Sequence, residues 1–254
     1  MSATHDMIGR TALVTAATRG IGQACVQALC DAGAAVAIGS RDLAAGEALA
    51  RALRAEGREA CAVAMDMRDL AQVDQAIEDA SRRLGLVDIL VNNAGTSHPA
   101  AALQATPEDF SAMFDLNVRG AFFAAQGIAR RLLAAGRPGA IVNIASQAGL
   151  VALRDEAVYC MTKAAMIHMT RCLAAEWAGQ GIRVNAVAPT FVRTDGTKRW
   201  LDDVSLRESV LARIPLGRVG EVQDVAAPVV FLASAQAAMI TGATLVIDGG
   251  WTLA

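Results

Sequence analysis

Seven short apolar or β-rich runs alternate along this chain with long stretches of helical character, and that rhythm constrains the fold more than any other feature. The strand candidates are Ala12-Leu-Val-Thr15, Ala35-Val-Ala-Ile38, Ala60-Cys-Ala-Val-Ala-Met65, Ile89-Leu-Val-Asn92, Ala140-Ile-Val-Asn-Ile144, Arg183-Val-Asn-Ala-Val187 and Thr244-Leu-Val-Ile247. Helical stretches fall near 21–33, 43–56, 69–84, 107–135, 156–179 and 221–234. Strand–helix alternation argues for βαβ units and a mainly parallel sheet. Several of the runs are almost wholly apolar, as strands covered on both faces must be. The expected fold class is therefore α/β: one doubly wound Rossmann-type domain with a seven-stranded, mainly parallel sheet flanked by helices. Asp42 before the second helix and Thr106-Pro107 before the fourth are start signals, each a capping side chain, the latter followed by proline in the first turn.

A chain of 254 residues can bury a large core as one domain. The expected division within it is 8–100 for dinucleotide binding and 101–254 for catalysis and substrate. The stretch 190–215 breaks the rhythm as a long loop with a weak helix near 203–213. Ligands of doubly wound sheets bind at the carboxyl ends of strands, so this insertion is a candidate lid. A formal net charge of -2 gives no electrostatic case for nucleic acid or anionic membrane. No apolar run approaches the roughly 18 residues that span a bilayer. The N-terminus lacks the basic flank and apolar core of a secretory signal. Five cysteines without C-x-x-C spacing (Cys25, Cys30, Cys61, Cys160, Cys172) read as small buried residues rather than disulfides or a zinc site. His5 and His168 stand away from other ligand types, so no metal is expected. These features together lead us to expect a cytoplasmic protein.

Two patterns carry chemistry. Thr15-Ala-Ala-Thr-Arg-Gly-Ile-Gly22 lies between the first strand and the first helix, where backbone N–H groups and close-approaching glycines suit a pyrophosphate. Tyr159 and Lys163 are four residues apart, one turn along a helix face, and Ser146 ends the fifth strand. A fixed ammonium near a phenol favours the phenolate, so Lys163 is expected to lower the pKa of Tyr159.

With these motifs in place the chain resembles the short-chain dehydrogenase/reductase family, in its shorter soluble branch, from about residue 9 to the C-terminus. The likeness rests on the loop at 15–22, Asp66 after the third strand, Asn92-Asn-Ala-Gly95, Asn117 in Leu-Asn-Val, Ser146, Tyr159-x-x-x-Lys163, Arg183-Val-Asn-Ala-Val-Ala-Pro189, and the ending Ile240-Thr-Gly-Ala-Thr-Leu-Val-Ile-Asp-Gly-Gly250. Two positions depart from the family pattern. Ala16 stands where glycine is usual, and fits if its φ stays negative. Thr190 replaces the glycine of a Pro-Gly, which restricts the backbone and adds a hydroxyl.

The resemblance implies roles for this chain's residues. Tyr159 exchanges a proton with the substrate oxygen, Lys163 assists it and contacts the nicotinamide ribose, Ser146 hydrogen-bonds the substrate, and Asn117 holds a water leading protons to Lys163. Cofactor contacts are expected from Thr15, Thr18, Arg19, Gly20, Ile21, Gly22, Ser40, Arg41, Asp66, Met67, Asn93, Ala94 and Gly95, with Asn92 nearby. Tyr159, Lys163, Pro189, Val192 and Thr194 complete them, the last two holding the carboxamide. No acid ends the second strand at Gly39-Ser40-Arg41, so Ser40 and Arg41, with Arg19, favour the 2′-phosphate of NADP(H) over NAD(H). Substrate contacts are expected from Ser146, Gln147, Tyr159, His98, Arg154, Thr190 and Trp200, with Thr96, Ser97 and Phe191 close by.

Together these imply an NAD(P)(H)-dependent oxidoreductase interconverting a secondary alcohol and a ketone on a small polyol, sugar or sugar acid. An alternative is a 3-oxoacyl-thioester reductase, for which Arg130 and Arg131 would dock an acidic carrier protein. A third reading is a catalytically silent dinucleotide sensor or scaffold. The resemblance also implies a homotetramer, or a homodimer, through the helices at 107–135 and 156–179.

Overall fold

The computed structural model describes residues 6–253, with the side chains at 199 and 200 outside the described set. In chain order the elements are β1 (Thr11–Thr15), α1 (Gly20–Asp31), β2 (Ala35–Ser40), α2 (Leu43–Ala55), β3 (Ala60–Ala64), α3 (Leu70–Leu84) and β4 (Ile89–Asn92). There follow α4 (Pro107–Phe114), a π-helical turn (Asp115–Arg119), α5 (Gly120–Ala134), β5 (Gly139–Ile144), α6 (Ala157–Trp177), β6 (Ile182–Pro189), α7 (Lys198–Asp202), α8 (Val204–Leu211), α9 (Val222–Ala233) and β7 (Thr244–Ile247). The seven strands form one sheet in the order β3-β2-β1-β4-β5-β6-β7, with every pairing parallel. All seven expected strands are present. Among the described residues no helix is long and apolar enough to cross a membrane.

Strand alternation sorts the apolar side chains into two cores. Ala12, Val14, Ile38, Val91 and Val142 pack on one face against Val26 and Leu29 of α1 and Val225 and Val229 of α9. Leu13, Val63, Leu90, Ile141 and Val184 point the other way, onto Ile77 of α3, Ile128 and Leu132 of α5 and Leu173 of α6. Period-2 side chains on strands meet 3.6-period stripes on helices, which is why the runs read as nearly continuous apolar sequence. The edge strand β7 differs: Leu245 and Val246 remain 40% and 39% exposed.

The start signals act as expected. Asp42 Oδ1 accepts from the Ala45 N–H at 3.0 Å, and Thr106 Oγ1 accepts from Asp109 N–H at 3.1 Å with Pro107 opening α4. Of the cysteines, Cys25, Cys30 and Cys61 are buried, but Cys160 is half-buried and Cys172 exposed, so the expectation of burial fails at those two. Both lie on α6, and Cys172 lies in the groove between α5 and α6.

The single helix expected over 107–135 is a rod in three parts, because the turn at Asp115–Arg119 is wound with i→i+5 bonding: the Gly120 N–H donates to the carbonyl of Asp115. Gly120 then lies against the backbone carbonyl of Met67, where a Cβ would overlap it. The widened turn sets α5 onto the chain leaving β3 and carries Asn117 inward, in keeping with the use of π turns at functional sites. Gly120→Ala is accordingly expected to destabilise the fold by about 1–3 kcal/mol through overpacking against fixed backbone, read as a lowered urea midpoint; an unchanged midpoint would show that α5 can shift freely.

Candidate active site

The carboxyl ends of β1, β4, β5 and β6 converge, and the side chains there are tied to one another. Thr15 Oγ1 accepts from the N–H groups of Asn93 and Ala94, both at 2.9 Å. Asn93 Nδ2 donates to the carbonyls of Thr15 and Ala16 at 3.0 Å each. Thr15 is fully buried, so it joins β1 to β4 instead of facing the cleft as expected. Asn92 is likewise turned inward, its Nδ2 donating to Asn143 Oδ1 and the Ala121 carbonyl. Met67 packs its side chain in the core, because α5 closes over it.

Ala16 has φ +52°, contrary to the expected negative value. The chain must reverse there between β1 and α1, and the two Asn93 hydrogen bonds hold it in the left-handed region despite a methyl group that disfavours it. The next turn needs glycine on steric grounds: a Cβ on Gly22 would lie 2.5 Å from Asn93 Nδ2 and 2.7 Å from the Ala16 carbonyl oxygen. Thr18 is half-buried and Arg19 exposed at the mouth of this loop.

The N-terminus of α1 has no side-chain cap and no acid in its first turn. By contrast α2, α3, α4 and α8 are capped by Asp42, Asp69, Thr106 and Asp203. Uncapped N–H groups at the end of a helix dipole suit an anion, so this cradle fits a dinucleotide pyrophosphate. The far side of the cleft is close at hand: a Cβ on Gly20 would come within 3.3 Å of Thr194 Cγ2. Thr194 is braced by Thr197, whose hydroxyl donates to the Val192 carbonyl at 2.5 Å, and Val192 pairs with Gly220. Ser40 is buried and its Oγ accepts from the Asp42 N–H, whereas Arg41 is exposed. Asp66 accepts from Arg68, and the Arg68 hydrogen bonds with the Arg68 and Arg41 charges hold its carboxyl below the ordinary range, against its partial burial.

Asn117 is fully buried. Its Oδ1 accepts from Thr96 N–H at 2.8 Å, and its Nδ2 donates to the Thr96 carbonyl and to Thr162 Oγ1. The amide is thus committed to joining the loop after β4 to α6. Lys163 is 4% exposed and donates to the Ile144 carbonyl at 2.8 Å, with its Nζ 5.7 Å from the centre of the Tyr159 ring. A Cβ on Gly95 would sit 3.4 Å from both Asn117 Oδ1 and Lys163 Nζ, so the three share one small volume. Ser146 Oγ donates to Gln147 Oε1 at 2.9 Å and accepts from Ala148 N–H.

Burial pushes the Tyr159 phenol up to about 12, the Ser146 hydroxyl opposes this, and Glu156 adds to it. Burial also lowers Lys163 to about 8. Desolvation at the phenol thus outweighs the lowering expected from Lys163, and the hydrogen bond of the ammonium goes to the Ile144 carbonyl instead of the phenol oxygen. At neutral pH the site holds a protonated phenol beside a protonated amine.

A cavity of about 510 Å³ opens at the start of α6, one turn before Tyr159, lined by Leu153, Arg154, Glu156, Phe191, Arg213 and Trp251 among others. Arg154 reaches it, although its side chain is 96% exposed. His98 does not: it lies on the surface 3.6 Å from Asp109, since the loop after β4 turns it toward α4. Gln147 is buried beside Ser146, and Thr190 Oγ1 is buried without a hydrogen-bond partner. The side chain of Trp200 falls outside the described residues. Sequence reasoning missed Glu156, Arg213 and Trp251. Glu156 had a signal, lying one turn before Tyr159 on the same face. Trp251 and Arg213, stacked at 5.3 Å, come from distant segments and had none. Trp251 anchors the region after β6, packing with Leu201, Val210, Ile214 and Val219.

Among known proteins, a family model described as enoyl-(acyl carrier protein) reductase matches residues 15–252. The chain is 44% identical to a D-erythrulose reductase of Gallus gallus over 96% of each chain. It is 41% identical to a D-threitol dehydrogenase of Mycolicibacterium smegmatis over 96% of this chain and 94% of that one. The structure of a gluconate 5-dehydrogenase from Burkholderia cenocepacia, in complex with NADP and tartrate, superposes with a TM-score of 0.95 at 37% identity, covering 99% of this chain and 98% of that one.

The burial of Lys163 has a measurable sign. Its ordinary value of 10.5 falls to about 8 on folding, so between those values the unfolded chain holds a proton that the folded chain has released. The contribution of this site to stability therefore rises with pH across that window. The gain in urea midpoint of Lys163→Met over the native chain should be largest at pH 7 and shrink by pH 10; a pH-independent difference would mean that the ammonium is not desolvated.

Proposed function

The chain belongs to the short-chain dehydrogenase/reductase family, and on that premise we propose that it interconverts a secondary alcohol and a ketone on a small polyol, sugar or sugar acid. The observation that carries this reading is the convergence of Ser146, Tyr159, Lys163 and Asn117 at the carboxyl edge of the sheet, beside the uncapped start of α1. A nicotinamide dinucleotide, when bound, supplies or accepts the hydride.

The protein's part is positioning and proton transfer. Ser146 hydrogen-bonds the substrate oxygen and holds it at the phenol. Tyr159, protonated at neutral pH, gives its proton to the oxygen as a ketone is reduced and takes it back as an alcohol is oxidised. The Lys163 ammonium, held by Ile144, favours the phenolate formed in the reductive direction. Asn117 keeps the loop after β4 and α6 at fixed separation, so that Gly95 and Lys163 remain neighbours.

Arg41, exposed at the end of β2 with no acid at the strand tip, supports NADP(H) as the preferred cofactor, and Arg19 adds a second cation at the loop. The carrier-protein alternative loses support because Arg131 is engaged by Asp74 and Glu78 of α3, at 2.9 and 3.4 Å. The silent-relative alternative conflicts with an intact set of proton-transfer groups. For assembly, the groove between α5 and α6, with Phe114, Phe122, Phe123 and Met169 in its walls, supports a second copy as occupant, and the exposed apolar edge at β7 a further contact. Light scattering should then return two or four times the chain mass, and Phe123→Asp should lower it; a native monomer would defeat this part.

The functional test is a dehydrogenase screen of polyols, sugars, aldonates and hydroxyacyl thioesters with NAD⁺ and NADP⁺ in parallel, on the native chain and Tyr159→Phe. Turnover on the hydroxylated small molecules should fall by at least about 100-fold in the variant, as removal of a general acid–base implies, with cofactor binding retained. Undiminished turnover would sink the mechanism, and preference for the thioesters would sink the substrate class.

A further inference from the structure

Glu156 opens α6 yet does not cap it: its backbone occupies the N-cap position, and its side chain makes no hydrogen bond to the first turn. The shorter acids at that position turn back onto the helix N–H groups, as Asp42, Asp69 and Asp203 do at α2, α3 and α8. Here the half-buried carboxylate lies in the wall of the cavity instead. Ser97, on the loop after β4, donates its hydroxyl proton to Glu156 Oε2. A second tie runs between the same segments, Ala100 N–H donating to the Asp155 carbonyl at 2.8 Å. Asp155 has φ +60°, a left-handed backbone that persists in a non-glycine residue where its surroundings fix it. The carboxylate is thus directed by its environment, one turn from Tyr159, whose phenol feels its charge.

An ionised carboxylate is an acceptor with several lone-pair sites. Leu153, Phe191, Leu206, Val210 and Trp251 share the cavity wall, and such apolar surroundings strengthen a hydrogen bond made inside. We infer that the Glu156 carboxylate, oriented by Ser97, is a specificity-determining group that accepts hydrogen bonds from the hydroxyls flanking the reacting carbon of a polyhydroxylated substrate. The inference rests on the polyol and sugar reading above and sharpens it. A site built to take a substrate hydroxyl rejects the analogue lacking one far more strongly than an apolar pocket rejects a missing methylene.

The test compares a tetritol or pentitol with 2-butanol, which has no flanking hydroxyl, at saturating cofactor. Native chain, Glu156→Ala, Glu156→Gln and Ser97→Ala are assayed side by side. The ratio of kcat/KM for the polyol to that for 2-butanol should fall at least tenfold in Glu156→Ala, chiefly through the KM of the polyol, consistent with losing a hydrogen bond to a charged acceptor. Glu156→Gln, still an acceptor, and Ser97→Ala should fall in between. A changed proton affinity of Tyr159 acts on both substrates and cancels in the ratio, so a purely electrostatic or structural role would not move it. Dinucleotide affinity measured by fluorescence checks folding, and if Glu156→Ala fails to fold, the other two variants carry the comparison. Native activity on the polyol with ratios within twofold across the folded variants overturns the inference and leaves the polyol reading standing. Native oxidation of 2-butanol without activity on any polyol overturns both.

Discussion

The Lys163 ammonium lies almost wholly out of water, held by one carbonyl at the end of β5, and much of the surrounding architecture serves that placement. Desolvating an ammonium costs several kcal/mol, more than a single hydrogen bond returns. The difference is met by the two cores that clamp the sheet and by the ties that hold the neighbouring segments in place. Asn117 joins Thr96 to Thr162, one residue before the lysine. The π turn and Gly120 set the depth of Asn117, and Thr15 and Asn93 bind the end of β1 to that of β4. A less rigid frame would let water reach the amine and release it from its fixed position beside Tyr159.

The two ends of the sheet divide the work. At the amino end, Asp88 is buried against Arg10 at 2.6 Å and accepts from Thr11 N–H, while Arg183 donates to the carbonyls of Leu232, Ala233, Ser234 and Ile240 at the close of α9. These cations satisfy charges and carbonyls already inside the protein. At the carboxyl end, the start of α1 has no side-chain cap, and a cavity opens at the start of α6. Parallel strands impose this polarity, since every loop that leaves a strand tip arrives at the same edge.

The fold was legible because burial on both faces writes strands as apolar runs and helices as amphipathic stretches, and all seven strands followed. What the sequence could not show was the break in the rod at 107–135, since a π turn depends on Gly120 meeting Met67, a contact between segments about fifty residues apart. The site was legible where one residue type in one spacing suffices, as with Tyr159 and Lys163 or the glycines at 20 and 22. It misled where a side chain had two plausible partners. Thr15 and Asn92 turned inward to neighbouring strands, His98 turned to Asp109, and Lys163 gave its hydrogen bond to Ile144. Glu156 escaped notice because a charged residue at a helix start is ordinarily solvated, and its tie to Ser97 joins segments far apart in sequence.

Backbone strain points to the same edge. Among the described residues, the non-glycine residues with left-handed φ are Ala16 and Asp155, one opening the dinucleotide loop and one the helix of Tyr159. Each costs about 1–3 kcal/mol relative to an unstrained turn. Each is held by a hydrogen bond to its own carbonyl from the loop after β4, from Asn93 Nδ2 and from Ala100 N–H respectively. The segment 93–100 therefore ties down the loop before α1 on one side and the segment before α6, with Glu156, on the other. Two strained backbone positions more than a hundred residues apart in sequence, Ala16 and Asp155, are thus held through one loop.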